Sequence, residues 1–153
     1  MRIGSGTDVH AFGPGDFVML GGVRIPHSRG VVAHSDGDVV LHALCDALLG
    51  AAGLGDIGTH FPDTDPAYAG VDSMDLLRQV VGAVSAQWEI GNLDVTVVIE
   101  APKLAPYREA MQRHLAEVVG AAVSVKAKRA EALGALGRRE GVACFAVALL
   151  MPR

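Results

Sequence analysis

Strand-patterned and helix-patterned segments interleave along this chain of 153 residues, and such an alternation buries both kinds of apolar face only as a sheet layered with helices. Met1 to Val9 and Phe17 to Ile25 are β-compatible, and the glycines and Pro14 between them supply turn chemistry, so the two are expected to pair as an N-terminal β-ribbon. Val39 to Ala52 carries apolar residues at helical spacing with no glycine before Gly50, and Ser35 followed by Asp38 has the spacing of a capping box at its start. Asp72 to Gln87 and Pro106 to Val119 read as further helices, and Asn92 to Glu100, Val123 to Lys128 and Val142 to Met151 as further strands. The expected fold class is α+β, an α/β sandwich with a mixed β-sheet, helices packed on one face and the ribbon at the start, in a single domain over residues 1–153. From Gly53 to Gly70, glycines, prolines and aspartates make a stretch with no sustained period, too long for a simple connector and of the kind that carries function.

A formal charge of −4 leaves no basic footprint for a phosphate backbone, which argues against a nucleic-acid partner. The longest apolar run, Val142 to Met151, falls well short of the roughly 20 residues that cross a membrane. The N-terminus shows no basic segment followed by an apolar stretch and a cleavage site, so a cytoplasmic location is expected. Cys45 and Cys144 sit among apolar neighbours and read as reduced core residues.

Asp8 and His10 lie two apart on a predicted strand, so both side chains leave one face, close enough to share an ion. His42 stands on the first helix with Asp38 at i−4 and Asp46 at i+4, a polar stripe on an otherwise apolar helix. One carboxylate and two imidazoles suit a divalent ion such as zinc with a fourth position left open, and Asp38 and Asp46 are placed to orient His42 from behind. The same spacing also admits a surface His10 and a hydrogen-bonded core His42. His34 and Ser35 stand in the turn entering that helix, where free N–H groups favour a phosphate or form an ordinary cap. Asp56, Ile57 and Gly58, with Phe61, Pro62, Asp63, Thr64 and Asp65, offer carboxylates and backbone donors to sugar hydroxyls or a second ion, or else a solvated cluster of turns. Lys103 stands at a strand exit, where ligands commonly bind in such folds.

The strings Gly4-Ser5-Gly6-Thr7-Asp8-Val9-His10, Ala33-His34-Ser35-Asp36-Gly37-Asp38, Leu41-His42-Ala43-Leu44, Gly55-Asp56-Ile57-Gly58, Phe61-Pro62-Asp63-Thr64-Asp65 and Ala101-Pro102-Lys103 closely resemble the 2-C-methyl-D-erythritol 2,4-cyclodiphosphate synthase family, in order and over nearly the whole chain. The resemblance implies an enzyme of non-mevalonate isoprenoid biosynthesis. In it, the 2-phosphate of 4-diphosphocytidyl-2-C-methyl-D-erythritol 2-phosphate attacks its own β-phosphate and expels CMP. It implies zinc at Asp8, His10 and His42, and magnesium or manganese held through the diphosphate by Glu131. His34 is then a transition-state stabiliser and Ser35 a phosphate contact, and Asp56 to Gly58 with Phe61 to Asp65 hold the erythritol. Glu100, Ala101, Pro102, Lys103, Leu104 and Ala105 form the cytosine pocket, and the assembly is a homotrimer with sites between adjacent subunits.

The chain departs from the family pattern where a threonine-rich run commonly precedes the ion-binding carboxylate. Here Lys128, Arg129 and Ala130 precede Glu131, so Arg129 or Lys128 is expected to offset the diphosphate charge in place of a hydroxyl. Where some members bind isoprenoid diphosphates, this chain reads Ala135, Arg138 and Phe145, and only Arg138 keeps the pattern. The open metal site also admits a metal-dependent phosphohydrolase, and the change before Glu131 an inactive nucleotide-binding homologue.

Overall fold

The computed structural model describes residues 1–62 and 64–153, so Asp63 alone among the sequence-predicted site residues lies outside it. In chain order the elements are β1 (Arg2–Gly13), β2 (Phe17–Leu20), β3 (Val23–Pro26), β4 (Gly30–Val31), α1 (Val39–Ala52), the one-turn α2 (Ile57–His60), α3 (Ser73–Ser85), β5 (Trp88–Val98), α4 (Arg108–Val119), β6 (Ala122–Lys128), the one-turn α5 (Gly134–Gly137) and β7 (Gly141–Pro152). Five strands form one mixed sheet in the order β4-β1-β7-β5-β6, in which only β5 and β6 run parallel.

The N-terminal ribbon differs from the sequence expectation. β1 pairs with the C-terminal strand, from Arg2 opposite Leu150 to Ala11 opposite Gly141, and residues 17–26 fold on themselves as the β2–β3 hairpin. Gly21 and Gly22 split that segment: both have positive φ, 57° and 73°, the backbone that a primed two-residue hairpin turn requires. The helix start differs too. Asp38 is itself the N-cap of α1, while the Ser35 hydroxyl turns to His42. The irregular stretch after α1 contains two short helical turns, α2 and a 3₁₀ turn at Pro66–Tyr68.

Side chains alternate cleanly across the sheet. Leu93, Val95 and Val97 of β5, Val123 and Val125 of β6, and Cys144, Ala146, Ala148 and Leu150 of β7 point into one core, together with the apolar face of α1. Both cysteines are reduced and buried there, and burial pushes both thiols up, which leaves them unreactive. The opposite face carries Ile3, Val9, Phe145 and Val147 in the open. No helix among the described residues is long and apolar enough to cross a membrane.

The α1 backbone rests directly on β1. A Cβ on Gly6 would meet the Ala43 carbonyl oxygen at 2.0 Å, and one on Gly4 would meet the Ala47 carbonyl oxygen at 2.0 Å. These glycines, opposed by alanines of the helix, set the separation of strand and helix. Gly6→Ala is therefore expected to destabilise by about 1–3 kcal/mol through overpacking against backbone that cannot yield. Gly50→Ala, on the open side of the same helix with nothing within 4 Å, should stabilise by up to about 1 kcal/mol. Denaturant unfolding of the pair checks both signs.

Candidate active site

Because β1 alternates, Asp8 and His10 share the face that carries Gly4 and Gly6, beneath the helix. His42, in the first turn of α1, is brought onto them by the close strand–helix contact. His42 Nδ1 lies 2.9 Å from Asp8 Oδ2, His10 Nε2 lies 3.0 Å from the same oxygen, and the two nitrogens are 3.4 Å apart. Ligand atoms around a tetrahedral zinc stand about 3.3 Å apart. The three residues are the one His, Cys, Asp or Glu cluster among the described residues arranged to hold a metal ion. One carboxylate and two imidazoles fit a divalent ion of the zinc type, and all three atoms face the cleft. The open alternative of a surface His10 and a core His42 is thereby removed.

The site's electrostatics follow from that convergence. Burial raises the Asp8 carboxyl, but hydrogen bonds and charge from His10 and His42 outweigh it and hold the group well below the usual carboxylate range. His10 is shifted up, chiefly by its bond to Asp8 and against the effect of burial. A metal ion must displace that tightly held proton. Zinc affinity of the metal-free protein should therefore fall as pH drops below the raised His10 pKa, by about tenfold per pH unit for each proton displaced. Chelator competition across about pH 5 to 8, the range in which histidines titrate, measures it.

The metal-type triad forms the base of a cleft of about 320 Å³, walled by His34, Ser35, Asp46, Ile57, Gly58 and Phe61 among others. Asp38 and Asp46 do not orient His42. The buried Asp38 carboxylate accepts the backbone N–H groups of Gly21, Gly22, Val40 and Leu41, and Asp46 accepts that of Ile57 at 2.8 Å, tying α2 to α1. The groups on His42 Nε2 are instead Ser73 Oγ at 3.0 Å and Ser35 Oγ at 3.2 Å. Ser73 had no local signal in the sequence: it lies 31 residues away, at the start of α3.

On the long loop, Ile57, Gly58 and Phe61 reach the cleft, whereas Asp56 and Asp65 are taken up as caps, on Thr59 and Ala67. The Thr59 bonds hold the exposed Asp56 carboxyl below its ordinary value. Pro62 and Thr64 are not in the cleft wall.

The residues from 100 onward gather elsewhere. Glu100, Pro102, Lys103, Leu104, Ala105, Lys128 and Arg129 line a second cavity of about 190 Å³, which shares no residue with the first. The Glu100 carboxylate accepts the Ala130 N–H at 3.0 Å and pairs with Arg129 at 3.3 Å, so Arg129 and Ala130 buttress this cavity. Glu131, at φ 52°, sits on the exposed turn after β6 and lines neither cavity. Ala101 and Arg138 line a third, where Arg138 is paired with Glu140 at 2.7 Å.

Residues 1–151 match the YgbB family model. The chain belongs to the YgbB family. Among relatives, a Pseudomonas aeruginosa protein named 2-C-methyl-D-erythritol 2,4-cyclodiphosphate synthase is 62% identical over 100% of both chains. A Pseudomonas putida protein of the same name is 61% identical over 99% of both. Solved structures are similar throughout. A Plasmodium falciparum IspF in complex with CDP covers 99% of this chain and 96% of its own, at 35% identity and TM-score 0.87. The bifunctional IspDF of Campylobacter jejuni matches 99% of this chain at 42% identity and TM-score 0.95, and this chain spans 42% of its length. The YgbB fold is thus held in common with these proteins, including the sheet that presents Asp8 and His10 to α1.

Proposed function

We propose that this chain catalyses the 2-C-methyl-D-erythritol 2,4-cyclodiphosphate synthase reaction of isoprenoid biosynthesis, converting 4-diphosphocytidyl-2-C-methyl-D-erythritol 2-phosphate to the cyclic diphosphate with release of CMP. The observation that carries the reading is the convergence of Asp8, His10 and His42 at the base of a cleft, in a chain 62% identical along its full length to relatives of that name. The substrate contains both nucleophile and electrophile, so the protein's work is to neutralise charge and hold an in-line geometry. No protein nucleophile is needed. Asp8, His10 and His42 would hold a zinc-type ion, which would supply Lewis-acid polarisation of a phosphoryl oxygen. His34 and Ser35, in the turn entering α1, donate to the phosphates from the cleft wall. Asp56, Ile57, Gly58, Phe61, Pro62, Asp63, Thr64 and Asp65 belong to the loop that receives the erythritol, with Ile57, Gly58 and Phe61 excluding water from it.

The cytidine lies against the second cavity, between Glu100 and Ala105, with Lys103 and Arg129 beside the diphosphate, and Glu131, on the turn after β6, would hold a magnesium or manganese ion. Two observations support assembly as a homotrimer with shared sites. The cleft of Asp8, His10 and His42 and the cavity lined by Glu100 and Lys103 share no residue within one chain, and Ile3, Val9, Phe145 and Val147 leave an apolar sheet face 46–72% exposed residue by residue. A charge on that face should prevent association. Val147→Asp is expected to run as a monomer by light scattering and to lose turnover, and a fully active monomer would sink the shared-site reading. We place the protein in the cytoplasm, with no nucleic-acid or membrane partner, in keeping with its formal charge of −4.

The direct test is phosphorus NMR of the substrate incubated with the protein and Mg²⁺, with and without a zinc chelator. Chelator-sensitive release of CMP with a cyclic diphosphate is expected. An uncyclised hydrolysis product, with oxygen from water, would instead make the protein a phosphohydrolase.

A further inference from the structure

We infer that Ser73 and Asp36 are positioning residues that fix the tautomer of His42, so that it meets the metal through Nδ1. The inference rests on the reading of Asp8, His10 and His42 as a metal site, and concerns residues that touch neither the ion nor its other ligands.

The argument is one of hydrogen-bond direction. Imidazole in its neutral form carries one proton, and the nitrogen without it is the one that binds a metal. For His10 the assignment is immediate. Its Nδ1 lies 3.1 Å from the Val32 carbonyl oxygen, which only accepts, so Nδ1 keeps its proton and Nε2, facing Asp8, is the nitrogen that yields its proton to an ion. For His42 the neighbours are two hydroxyls, Ser73 Oγ at 3.0 Å and Ser35 Oγ at 3.2 Å, each of which both donates and accepts, so neither by itself chooses. Asp36 makes the choice. Its Oδ1 lies 2.5 Å from Ser73 Oγ and, as a carboxylate, only accepts, so the single Ser73 proton is given to Asp36. Ser73 Oγ then has only lone pairs to offer His42, whose Nε2 must donate to it. Nδ1, 2.9 Å from Asp8 Oδ2, is then the nitrogen that gives up its proton and turns its lone pair to an incoming ion.

Asp36 is itself held so that it cannot turn away. It accepts the Ser73 N–H at 3.0 Å through Oδ2 and the Asp38 N–H at 3.1 Å through Oδ1. The Ser73 side chain is wholly buried, so no water competes for its proton. Because Ser73 opens α3 and Asp36 lies in the turn before α1, the same bonds tie the start of α3 to the start of α1. Outer partners of a metal-bound histidine are typically worth about 10–100-fold in metal affinity.

The test uses full-length protein, its Ser73→Ala and Asp36→Asn variants, and two readouts besides turnover. Zinc affinity, by competition with a chromophoric chelator, should weaken about 10–100-fold in each variant. Ring-nitrogen NMR of histidine-labelled protein should show His42 protonated at Nε2 and zinc-bound at Nδ1. Asp36→Asn should disturb that assignment too, because an amide keeps only one of the two acceptor oxygens that hold Ser73 by its N–H and its hydroxyl. A merely structural role would lower thermal stability without moving the ring-nitrogen signals. Zinc bound through Nε2 in the unsubstituted protein, or affinities of both variants within about twofold of it, overturns the inference. If Ser73→Ala fails to fold, Asp36→Asn alone decides. Failure of the proposed reaction is separable: zinc bound through Nδ1 with no CMP release leaves this inference standing and removes the other.

Discussion

An Asp8→Ala variant is expected to lose its bound divalent metal and to release CMP about 10³-fold more slowly than the parent. Asp8 is the hub of the triad, since its single oxygen Oδ2 lies within 3.0 Å of both histidine nitrogens. Removing it leaves two imidazoles, and two neutral ligands with no anion bind a zinc-type ion poorly. Losing the stabilisation of a phosphoryl oxygen, worth about 4 kcal/mol, corresponds to about three decades in rate. The substitution also removes the group that raises His10, whose pKa should return toward that of a free imidazole. Metal content after dialysis, steady-state CMP release and a histidine NMR titration measure the three effects on one sample. A variant that keeps its metal and stays within about tenfold of the parent rate would be incompatible with the proposed site.

Asp38→Ala should cost about 3–5 kcal/mol of stability, the largest loss from any single side chain in the turn that leads to the site. Asp38 is wholly buried and accepts four backbone N–H groups, two from the Gly21–Gly22 hairpin turn and two from the first turn of α1. Loss of a helix cap accounts for up to about 2 kcal/mol, and stranded buried donors for about 1–3 kcal/mol each. The melting temperature should fall by about 10 °C or more. Asp38→Asn is the informative companion: it keeps the shape but turns an amide N–H toward one of the donors, so it should lie between the two. Differential scanning calorimetry ranks the three proteins. If Asp38→Ala melts within a few degrees of the parent, this carboxylate does not join hairpin and helix energetically.

Much of the site was legible in the sequence because the relevant periodicities are local. Asp8 and His10 share a strand face at a spacing of two, and His42 sits on a helix whose bounds, Val39 to Ala52, agree with the periodicity. The long loop announced itself by composition, and its Ile57, Gly58 and Phe61 do line the cleft. Acidic residues were harder to place. Asp38 and Asp46 look like partners of His42 on a helical wheel, yet both point their oxygens at backbone N–H groups, Asp38 at the hairpin turn and its own helix start and Asp46 at Ile57. A wheel shows which residues share a stripe and not where a carboxylate finds its donors. Asp56 and Asp65 likewise act as caps, a use that every aspartate in a turn has open to it.

By itself, the sequence determined where strands and helices fall, which side chains could hold an ion, and the family to which the chain belongs. Tertiary structure alone decided three things: that β1 takes the C-terminal strand as its partner, that Ser73 and not an aspartate stands behind His42, and that the metal-type triad and the residues around Glu100 and Lys103 occupy separate cavities. The physical reason is the same in each case. Periodicity, caps and turns are set within a few residues, whereas strand pairing, the direction of a buried hydroxyl and the closing of a cleft depend on groups that meet only after segments distant in the chain have packed together.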